Sequence, residues 1–419
     1  MEKLLIDGET SLKGDIEING AKNAAVAIIP ATLLLDGICT IDNVPNISDV
    51  KISCDILETL GAKVSWNSTH TVTIDTRNIT STSASLEMTS KFRASYYLLG
   101  ALLSRFKSAE VGLPGGCNLG ARPIDQHVKG FESLGAIVNV CQGKVTAHAD
   151  KLVGSAIYLD TVSVGATINI MLAAVLAEGT TTIDNAAKEP HIVDVANFLN
   201  TLGADIHGAG TDMIKINGVD KLSGNMSYSV VPDQIEAGTF MLASLASKGD
   251  ITVHNCIPEH LECLTAKIIE MGGNVEEFDD SVRVWCNQRP NKANIKTLPY
   301  PGFPTDLQPQ IGVALSIANG TSIINESIWD SRFQYTAELN KMGANITAQG
   351  KSAVFEGVGF LTGAPIYATD LRAGAALIIA GIIAKGTTEL YNLEHIDRGY
   401  ENIEEKFRKL GAKIKRVKE

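Results

Sequence analysis

The sequence lacks several features that mark common classes of protein. It has 36 Lys and Arg against 47 Asp and Glu, so there is no basic excess with which to bind nucleic acid or an anionic membrane. Its long apolar stretches, such as residues 375–384, reach only half of the about 20 residues that a membrane span needs. The opening Met1-Glu2-Lys3-Leu4 has no basic segment leading into an apolar run, and hence no signal peptide. We therefore expect a soluble, cytoplasmic protein.

The cysteines and histidines lack the spacings of disulfide frames and metal sites. The seven cysteines include no CxxC pair, and the eight histidines include no HExxH motif. An odd number of irregularly spaced cysteines is typical of reduced thiols in a reducing compartment. We expect neither disulfides nor a metal site. The cysteines are Cys39, Cys54, Cys117, Cys141, Cys256, Cys263 and Cys286.

What the chain does contain is an internal repeat. A segment of helical pattern ends in Leu-Gly-Ala or a close variant six times, at intervals of 68 to 74 residues. Glycine is the preferred residue just beyond the C-terminus of a helix, so these positions predict six helix ends. The glycines are Gly61, Gly135, Gly203, Gly272, Gly343 and Gly411.

A strongly apolar stretch of helix length precedes each of these glycines. Apolar character on nearly every side indicates a buried helix rather than an amphipathic one. A short β-branched run follows each stretch, so each repeat has a βαβαββ-type pattern and the chain is predicted to be an α/β protein. The apolar stretches are residues 24–35, 94–106, 165–176, 237–246, 310–318 and 373–384.

Six repeats divide naturally into two domains of three. The last repeat stops after one strand, residues 413–417, whereas the opening residues 3–19 alternate like a strand pair without a preceding helix. We infer that the N-terminal segment completes the sixth repeat. The predicted domains are 22–229, and 1–21 together with 230–419, and we expect the active site in the cleft between them.

The N-terminal ends of the buried helices carry polar and charged residues. Helix N-termini present free N–H groups and partial positive charge, so three of them pointing together would attract anions. The alternative is that Ser163, Asp306 and Asp370 are N-caps and nothing more. The recurrence, together with cations at three of the ends, favours a site. The residues are Lys22, Asn23, Arg93, Ser163–Gly165, Asp233, Thr305, Asp306 and Asp370–Arg372.

A glycine-rich loop carries the most distinctive cysteine. Residues 111–125 include four glycines and two prolines around Cys117 and predict a loop in which the thiol is accessible. The nearby Arg122 would stabilise its thiolate and raise its reactivity, although a free thiol in a turn is the simpler alternative. The other six cysteines lie in strand- or helix-like apolar sequence, and we expect them to be unreactive.

Several motifs together resemble the UDP-N-acetylglucosamine enolpyruvyl transferase (1-carboxyvinyltransferase) family, which acts in bacterial peptidoglycan precursor synthesis. The resemblance runs along the whole chain, and the cysteine loop is its most specific part. It implies two inside-out α/β barrels, with three helices inside each and sheets and further helices outside. The motifs read NGAKNAA, PGGCNLGARPID, SVGATINIML, AAKEPHIVDVANFLNTLGA, FPTDLQPQ, ATDLRAGAAL and HIDRGY.

The resemblance also implies roles for individual residues. Cys117 would protonate the methylene carbon of phosphoenolpyruvate, and Asp306 would be the general base for the sugar 3-hydroxyl. Lys22, Arg122 and Arg398 would hold the phosphate and carboxylate of phosphoenolpyruvate, with Arg93 and Arg372 as further cations. The implied contacts to the nucleotide sugar are Asn23, Arg122, Pro123, Ile124, Asp125, Gln126, Ser163, Val164, Gly165 and Ile328.

The implied reaction is addition followed by elimination of phosphate, and it needs no cofactor and no obligate protein partner. The chain departs from some family members at two positions, where Thr161 and Ser48 replace Lys. Two other functions remain open. A 5-enolpyruvylshikimate-3-phosphate synthase has the same chemistry but does not use the PGGC loop. A non-catalytic repeat scaffold would form an open array with a uniform binding face.

Overall fold

The computed structural model describes residues 2–91, 93–113 and 124–418, and only the backbone of Arg93. The chain alternates helices and short strands, as the repeat pattern predicts. The α-helices in these residues are α1 Lys22–Ala31, α2 Ser48–Thr59, α3 Leu86–Lys91, α4 Tyr97–Phe106, α5 Asp125–Ser133, α6 Val164–Ala174, α7 Pro190–Thr201, α8 Gln234–Ser247, α9 Glu262–Glu270, α10 Gln308–Ser316, α11 Tyr335–Lys341, α12 Leu371–Ile383, α13 Glu394–Asp397 and α14 Ile403–Lys409.

The strands form six four-stranded sheets of one design within the described residues. In each sheet one outer pair of strands is parallel and the other two pairs are antiparallel. The strands are β1 Glu2–Asp7, β2 Lys13–Glu17, β3 Ile38–Asp42, β4 Lys63–Ser68, β5 Thr71–Asp75, β6 Ser83–Ala84, β7 Ser108–Gly112, β8 Ile137–Cys141, β9 Lys144–His148, β10 Ala156–Tyr158, β11 Thr180–Asp184, β12 Asp205–His207, β13 Met213–Asn217, β14 Met226–Ser229, β15 Asp250–His254, β16 Asn274–Glu277, β17 Ser281–Trp285, β18 Ile295–Lys296, β19 Thr321–Asn325, β20 Asn345–Gln349, β21 Ser352–Glu356, β22 Pro365–Tyr367, β23 Thr387–Tyr391 and β24 Lys413–Lys418.

The N-terminal strands belong to sheets made mostly by later residues. Strand β1 pairs antiparallel with both β23 and β24, with Leu4 opposite Leu390 and Arg416. Strand β2 pairs in parallel with β15. The prediction that the N-terminal segment completes the sixth repeat is therefore confirmed for β1 but wrong for β2, which completes the sheet of the fourth repeat. The remaining sheets have the strand orders β14-β3-β5-β4, β6-β7-β9-β8, β10-β11-β13-β12 and β18-β19-β21-β20.

The chain divides into two compact units, each with its own hydrophobic core. We call residues 20–113 with 124–231 the middle unit, and residues 2–19 with 232–418 the terminal unit. Each holds three sheets and three central helices that are buried along nearly their whole length. In the terminal unit all three helices pack on one another, and in the middle unit α4 packs against both α1 and α6. The central helices are α1, α4 and α6 in the middle unit and α8, α10 and α12 in the terminal unit.

Helices inside and sheets outside is the arrangement of an inside-out α/β barrel, so the predicted fold class is confirmed. The reason lies in the sequence of the central helices, which carry apolar residues on all sides. Exposing these helices to water would therefore cost the most free energy. No helix in the described part of the chain has the length and apolar character to cross a membrane.

The six repeated glycines end the outer helices α2, α5, α7, α9, α11 and α14. Their φ angles lie between 85° and 106°, a region that glycine enters without steric cost. In every repeat the N–H of the residue after the glycine donates to a carbonyl five residues earlier, as Ala62 does to Leu57 at 3.0 Å. This is a Schellman cap, so the six predicted helix ends are confirmed.

Candidate active site

In the terminal unit, Asp306 lies between two buried arginines. Its Oδ2 accepts hydrogen bonds from Nε and Nη2 of Arg372, at 3.2 and 3.0 Å, and its Oδ1 accepts one from Nη2 of Arg332 at 3.3 Å. The side chains of Arg372 and Arg332 are 4% and 2% exposed, whereas that of Asp306 is 26% exposed. The carboxylate is therefore fixed from behind while one part of it remains open to solvent.

Local backbone structure explains the position of Asp306. It belongs to a short 3₁₀ turn, Thr305–Leu307, which follows Pro304 and leads directly into α10. The N-cap of that turn is Pro304 and the N-cap of α10 is Leu307, so the interpretation of Asp306 as an N-cap is wrong. The same interpretation is right for Asp370, whose Oδ1 accepts from the N–H groups of Arg372 and Ala373.

Arg372 is itself held by the neighbouring ring of Tyr400. The guanidinium carbon lies 5.3 Å from the centre of that ring, a cation–π distance. The Tyr400 hydroxyl bonds to Thr239 of α8 at 2.9 Å and accepts from Gln310 of α10 at 3.2 Å. Burial alone would lower the pKa of Arg372, but the Asp306 carboxylate and Tyr400 outweigh it and the pKa is raised. Arg372 is therefore a permanent cation.

The predicted nucleotide-sugar contact Ile328 lies in the loop after β19. Its backbone N–H donates to Oε1 of the buried Glu326 at 2.8 Å, and its side chain is exposed. Of the predicted terminal-unit residues, the structure thus brings Asp306 and Arg372 into direct contact, and it joins the backbone of Ile328 to the carboxylate of Glu326. Arg398 follows α13, whose last residue, Asp397, is bound bidentately by Arg416 at 2.7 and 2.9 Å.

In the middle unit, Lys22 begins the central helix α1. Its ammonium lies 3.1 Å from Oδ2 of Asp49, a buried carboxylate in the first turn of α2. Lys22 is therefore directed by an anionic partner, and Asn23 follows it in the same turn of α1. The sequence alone does not predict Asp49 as the partner of Lys22. The signal available was its position next to Ser48, where the chain departs from some family members.

The start of α5 is tied to the segment before α6. The Gln126 side chain donates to Asp125 Oδ2 at 3.0 Å and to Asp160 Oδ2 at 3.2 Å, and it accepts from the Asp160 N–H at 2.9 Å. A few residues on, Ser163 Oγ caps α6 by accepting from the Ala166 N–H at 3.3 Å. The structure thus joins Asp125 and Gln126 to the segment that leads into Ser163, Val164 and Gly165, as a common contact surface requires.

A buried neutral network supports the same segment. His127 Nδ1 lies 2.9 Å from the Asn169 amide nitrogen, which must donate, so the proton of the neutral ring is on Nε2. Burial lowers the pKa of His127 to about 4, partly opposed by the charge of Asp125. A Cβ added to Gly165 would lie 3.0 Å from Cε1 and Nε2 of this ring, so a larger residue there would require the buried ring to shift.

Some predicted site residues lie outside the part of the chain that the structure describes. These are Cys117, Arg122 and Pro123, together with the side chain of Arg93, and their roles stay predictions. Ile124 immediately precedes α5 and is partly buried against the core. Groups of three or more His, Cys, Asp or Glu side chains placed to hold a metal ion are absent from residues 2–91, 93–113 and 124–418.

The remaining cysteines differ in exposure. Burial raises the pKa of Cys39 to about 11, that of Cys54 to about 12 and that of Cys256 to about 11, so these thiols stay protonated at neutral pH. Cys286 is also buried and Cys263 is half-buried. Cys141 is exposed at the end of β8, so the expectation of an apolar setting for all six is wrong at this position. An edge strand that reads as apolar in sequence can face solvent.

Fold and site together define a class. A pair of inside-out α/β barrels, with a carboxylate and cations at the ends of the central helices, is the architecture of an enolpyruvyl transferase. The chain belongs to the EPSP synthase (3-phosphoshikimate 1-carboxyvinyltransferase) family, whose model matches residues 6–407. The resemblance to enolpyruvyl transferases is thereby confirmed.

Individual relatives show which members of the family this chain resembles. The chain is 59% identical over 418 residues to the UDP-N-acetylglucosamine 1-carboxyvinyltransferase of Clostridium botulinum, with 100% of both chains covered. It is 58% identical over 419 residues to UDP-N-acetylglucosamine 1-carboxyvinyltransferase 2 of Clostridium acetobutylicum, again with 100% of both covered. The crystal structure of the enolpyruvyl transferase NikO from Streptomyces tendae has the same fold, with a TM-score of 0.90, 24% identity and 99% of both chains covered.

Proposed function

We propose that this chain transfers the enolpyruvyl group of phosphoenolpyruvate to the 3-hydroxyl of UDP-N-acetylglucosamine and releases phosphate. The step belongs to peptidoglycan precursor synthesis. The observation that carries the proposal is the 59% and 58% identity, along entire chains, to two proteins named for this activity. Identity of this extent along entire chains favours the same acceptor for this chain.

Asp306 has the surroundings that a general base for a sugar hydroxyl needs. Both of its salt bridges require the ionised carboxylate, which is the form that can accept a proton. Its partial exposure leaves room for a hydroxyl to approach, while Arg332 and Arg372 hold its orientation. As the sugar oxygen bonds to C2 of phosphoenolpyruvate, its proton passes to Asp306.

Cations near the helix ends suit the two anionic substrates. Lys22 is the first residue of α1, and Arg372 lies in the first turn of α12. Within the described residues, Nε of Arg332 is buried without a hydrogen-bond acceptor. Buried donors without a partner are costly, and a ligand oxygen would satisfy them. Arg398, Arg122 and Arg93 complete the proposed set for phosphate and carboxylate groups.

The remaining chemistry falls to Cys117, which we propose to be the acid for the methylene carbon of phosphoenolpyruvate. Addition forms the C2–O bond and converts the methylene to a methyl group with the thiol proton. Elimination then returns a proton from that methyl group to the Cys117 thiolate and breaks the bond between C2 and the phosphate oxygen. The phosphate leaves with the proton that Asp306 took from the sugar hydroxyl. The products are the enolpyruvyl ether and inorganic phosphate, so the two substrates supply every atom and no cofactor is needed.

The proposal assigns substrate contacts to residues of each unit. Lys22, Asn23, Asp125, Gln126 and the Ser163–Gly165 segment belong to the middle unit. Asp306, Ile328, Arg372 and Arg398 belong to the terminal unit. We also propose a cytoplasmic location, which the free thiols of the six described cysteines support, because cysteines of secreted proteins are mostly paired.

The test is acceptor specificity. The purified chain is mixed with phosphoenolpyruvate and either UDP-N-acetylglucosamine or shikimate 3-phosphate, and phosphate release and product mass are measured. We expect phosphate only with UDP-N-acetylglucosamine, together with a product heavier by one enolpyruvyl group. Phosphate release with shikimate 3-phosphate alone would overturn the proposed acceptor, and release with neither would overturn the transferase activity.

A further inference from the structure

A buried carboxylate outside the predicted set of site residues joins two parts of the terminal-unit site. Glu326 follows directly after β19 and is 2% exposed. Four hydrogen-bond donors converge on its carboxylate. They are the Thr297 hydroxyl at 2.8 Å, the Thr305 hydroxyl at 3.0 Å, the Ile328 N–H at 2.8 Å and the Trp329 N–H at 3.2 Å.

The two oxygens of this carboxylate serve different elements. Oε1 accepts from Ile328, Trp329 and Thr297, and so fixes the loop that follows β19. Oε2 accepts from Thr305, the residue before Asp306 in the 3₁₀ turn. One rigid group therefore links the loop of the nucleotide-sugar contact to the turn that carries the base.

The arrangement is expensive for a purely structural role. Burying a carboxylate costs several kcal/mol unless charge pairing or hydrogen bonds offset it. Glu326 forms no salt bridge with any residue that the structure describes, so its four donors alone provide the offset. A neutral glutamine could accept the hydrogen bonds at Oε1 without the free-energy cost of burying a charge.

We propose that Glu326 is a positioning residue for the transfer reaction, coupling the Ile328 loop to the orientation of Asp306. The inference rests on the proposed function and adds a residue to it. Because Asp306 must sit within hydrogen-bond reach of the sugar hydroxyl, a small shift of the Thr305 turn lowers the rate of the chemical step. Loss of hydrogen bonds to Oε1 instead loosens the loop of Ile328 and lowers the affinity for the nucleotide sugar.

The two sides can be separated by matched substitutions of threonine by valine, which is similar in shape but lacks the hydroxyl. Thr305→Val removes the Oε2 partner, and we expect kcat to fall about tenfold with the KM for UDP-N-acetylglucosamine within about twofold of wild type. Thr305→Ser keeps the hydroxyl and should restore kcat. Thr297→Val loosens the Oε1 side, and we expect the opposite pattern, a KM raised about three- to tenfold with little change in kcat.

Glu326→Ala tests whether the effect of Thr305 passes through this carboxylate. In that background Thr305→Val should change kcat by less than about twofold, because its partner is already gone. If Glu326→Ala does not fold, the two threonine variants alone test the positioning role. The role then requires that Thr305→Val lowers kcat and that Thr297→Val raises KM. A lowered melting temperature with kcat and KM unchanged in both would reduce Glu326 to a structural residue.

Two further outcomes separate this inference from the function on which it rests. An active wild type in which Thr305→Val keeps full kcat, or loses as much kcat in the Glu326→Ala background as alone, overturns the positioning role only. A wild-type chain that forms no product from phosphoenolpyruvate and UDP-N-acetylglucosamine overturns the proposed function, and the positioning role with it.

Discussion

The ends of the central helices differ in charge between the two units, although the units share one fold. In the terminal unit, Asp233 caps α8, Asp370 caps α12, and Asp306 lies in the turn before α10. In the middle unit, Lys22 opens α1 without a side-chain cap, and the uncharged Ser163 caps α6. The same repeat thus places carboxylates at the helix ends of one unit and a cation or hydroxyl at those of the other.

This difference teaches how a duplicated fold divides the work of a reaction. Helix N-termini without carboxylates keep their positive potential and can bind anions directly. Helix N-termini capped by aspartate have that potential neutralised, so in their unit we propose Arg372 as the group that binds anions and Asp306 as the base. The supporting networks differ in the same way, since His127 and Asn169 form a neutral pair whereas Asp306 and Arg372 form an ionic one.

The largest expected effect concerns Cys117, which belongs to neither set of helix ends. If it is the proton donor, Cys117→Ala should lower product formation by about 10²- to 10⁴-fold, whereas Cys117→Asp should keep measurable turnover because a carboxylic acid can still donate a proton. A phosphonate epoxide such as fosfomycin, which carries an anion and an electrophilic carbon, should alkylate Cys117 and inactivate the wild type but not Cys117→Asp.

The exposed Cys141 provides the matched control for this experiment. Cys141→Ser should leave both activity and epoxide inactivation unchanged, because its thiol is exposed at the end of β8 and Cys141 is not one of the proposed substrate contacts. Intact-mass measurement with peptide mapping assigns the adduct. Modification of Cys141 in place of Cys117, or full epoxide sensitivity of Cys117→Asp, would contradict the role of Cys117.

The next largest effect tests the carboxylate of the terminal unit. Asp306→Asn keeps the shape and the hydrogen bonding of the side chain but removes the proton acceptor, and we expect kcat to fall at least about 10²-fold. Asp233→Asn is the control, since asparagine caps helices as well as aspartate does, and its kcat should stay within about threefold of wild type. If kcat of Asp306→Asn fell by less than threefold, Asp306 would not be the general base.

Sequence reasoning was strongest where structure is local. Helix C-caps and all-round apolar helices depend on neighbouring residues, so six glycines and six apolar stretches were enough to predict the repeat and its two groups of three. The contacts of the site are not local. Arg372 and Arg332 reach Asp306 across 66 and 26 residues of sequence, and nothing in the pattern around Arg332 marks it as the partner.

The family resemblance supplied the predicted site residues, but it did not supply the residues that hold them in place. Glu326 reads as an ordinary residue at the end of a strand, and Asp49 as an acidic residue in the first turn of a helix. Their importance appears only when folding brings Thr305 and Lys22 next to them. Buried charge is the signal, and burial of a single residue cannot be read from one sequence with any sharpness.

The neutral network of the middle unit predicts a pH dependence of stability. The pKa of His127 is about 4 when folded and near 6.5 when unfolded, because burial disfavours the charged ring. Between those values the unfolded chain binds more protons, so the free energy of unfolding should fall as pH falls from 6.5 to 4, by up to about 1.4 kcal/mol per pH unit. The stabilisation is fully present above pH 6.5.

Urea denaturation at pH 7 and pH 5 measures this effect when wild type and His127→Gln are compared. Glutamine can still accept from Asn169 but does not titrate, so the variant should lose less stability between the two pH values. His207→Gln serves as the control, because that ring is exposed and bonds only to a surface aspartate, Asp205. Equal pH dependence of wild type and His127→Gln would mean that the ring protonates in the folded protein.

The smallest effect compares the caps of the two units directly. Oδ1 of Asp233 accepts from the N–H groups of Ile235 and Glu236 at 2.8 and 3.1 Å, whereas Ser163 accepts one bond at 3.3 Å. A carboxylate also interacts with the helix dipole, so Asp233→Ala should cost about 1–2 kcal/mol of stability and Ser163→Ala about 0.5 kcal/mol. Asp233→Asn should recover most of the loss. Amide exchange should speed up at Ile235 and Glu236 in Asp233→Ala only, and equal losses for the two alanine variants would show that the charge of the cap adds nothing.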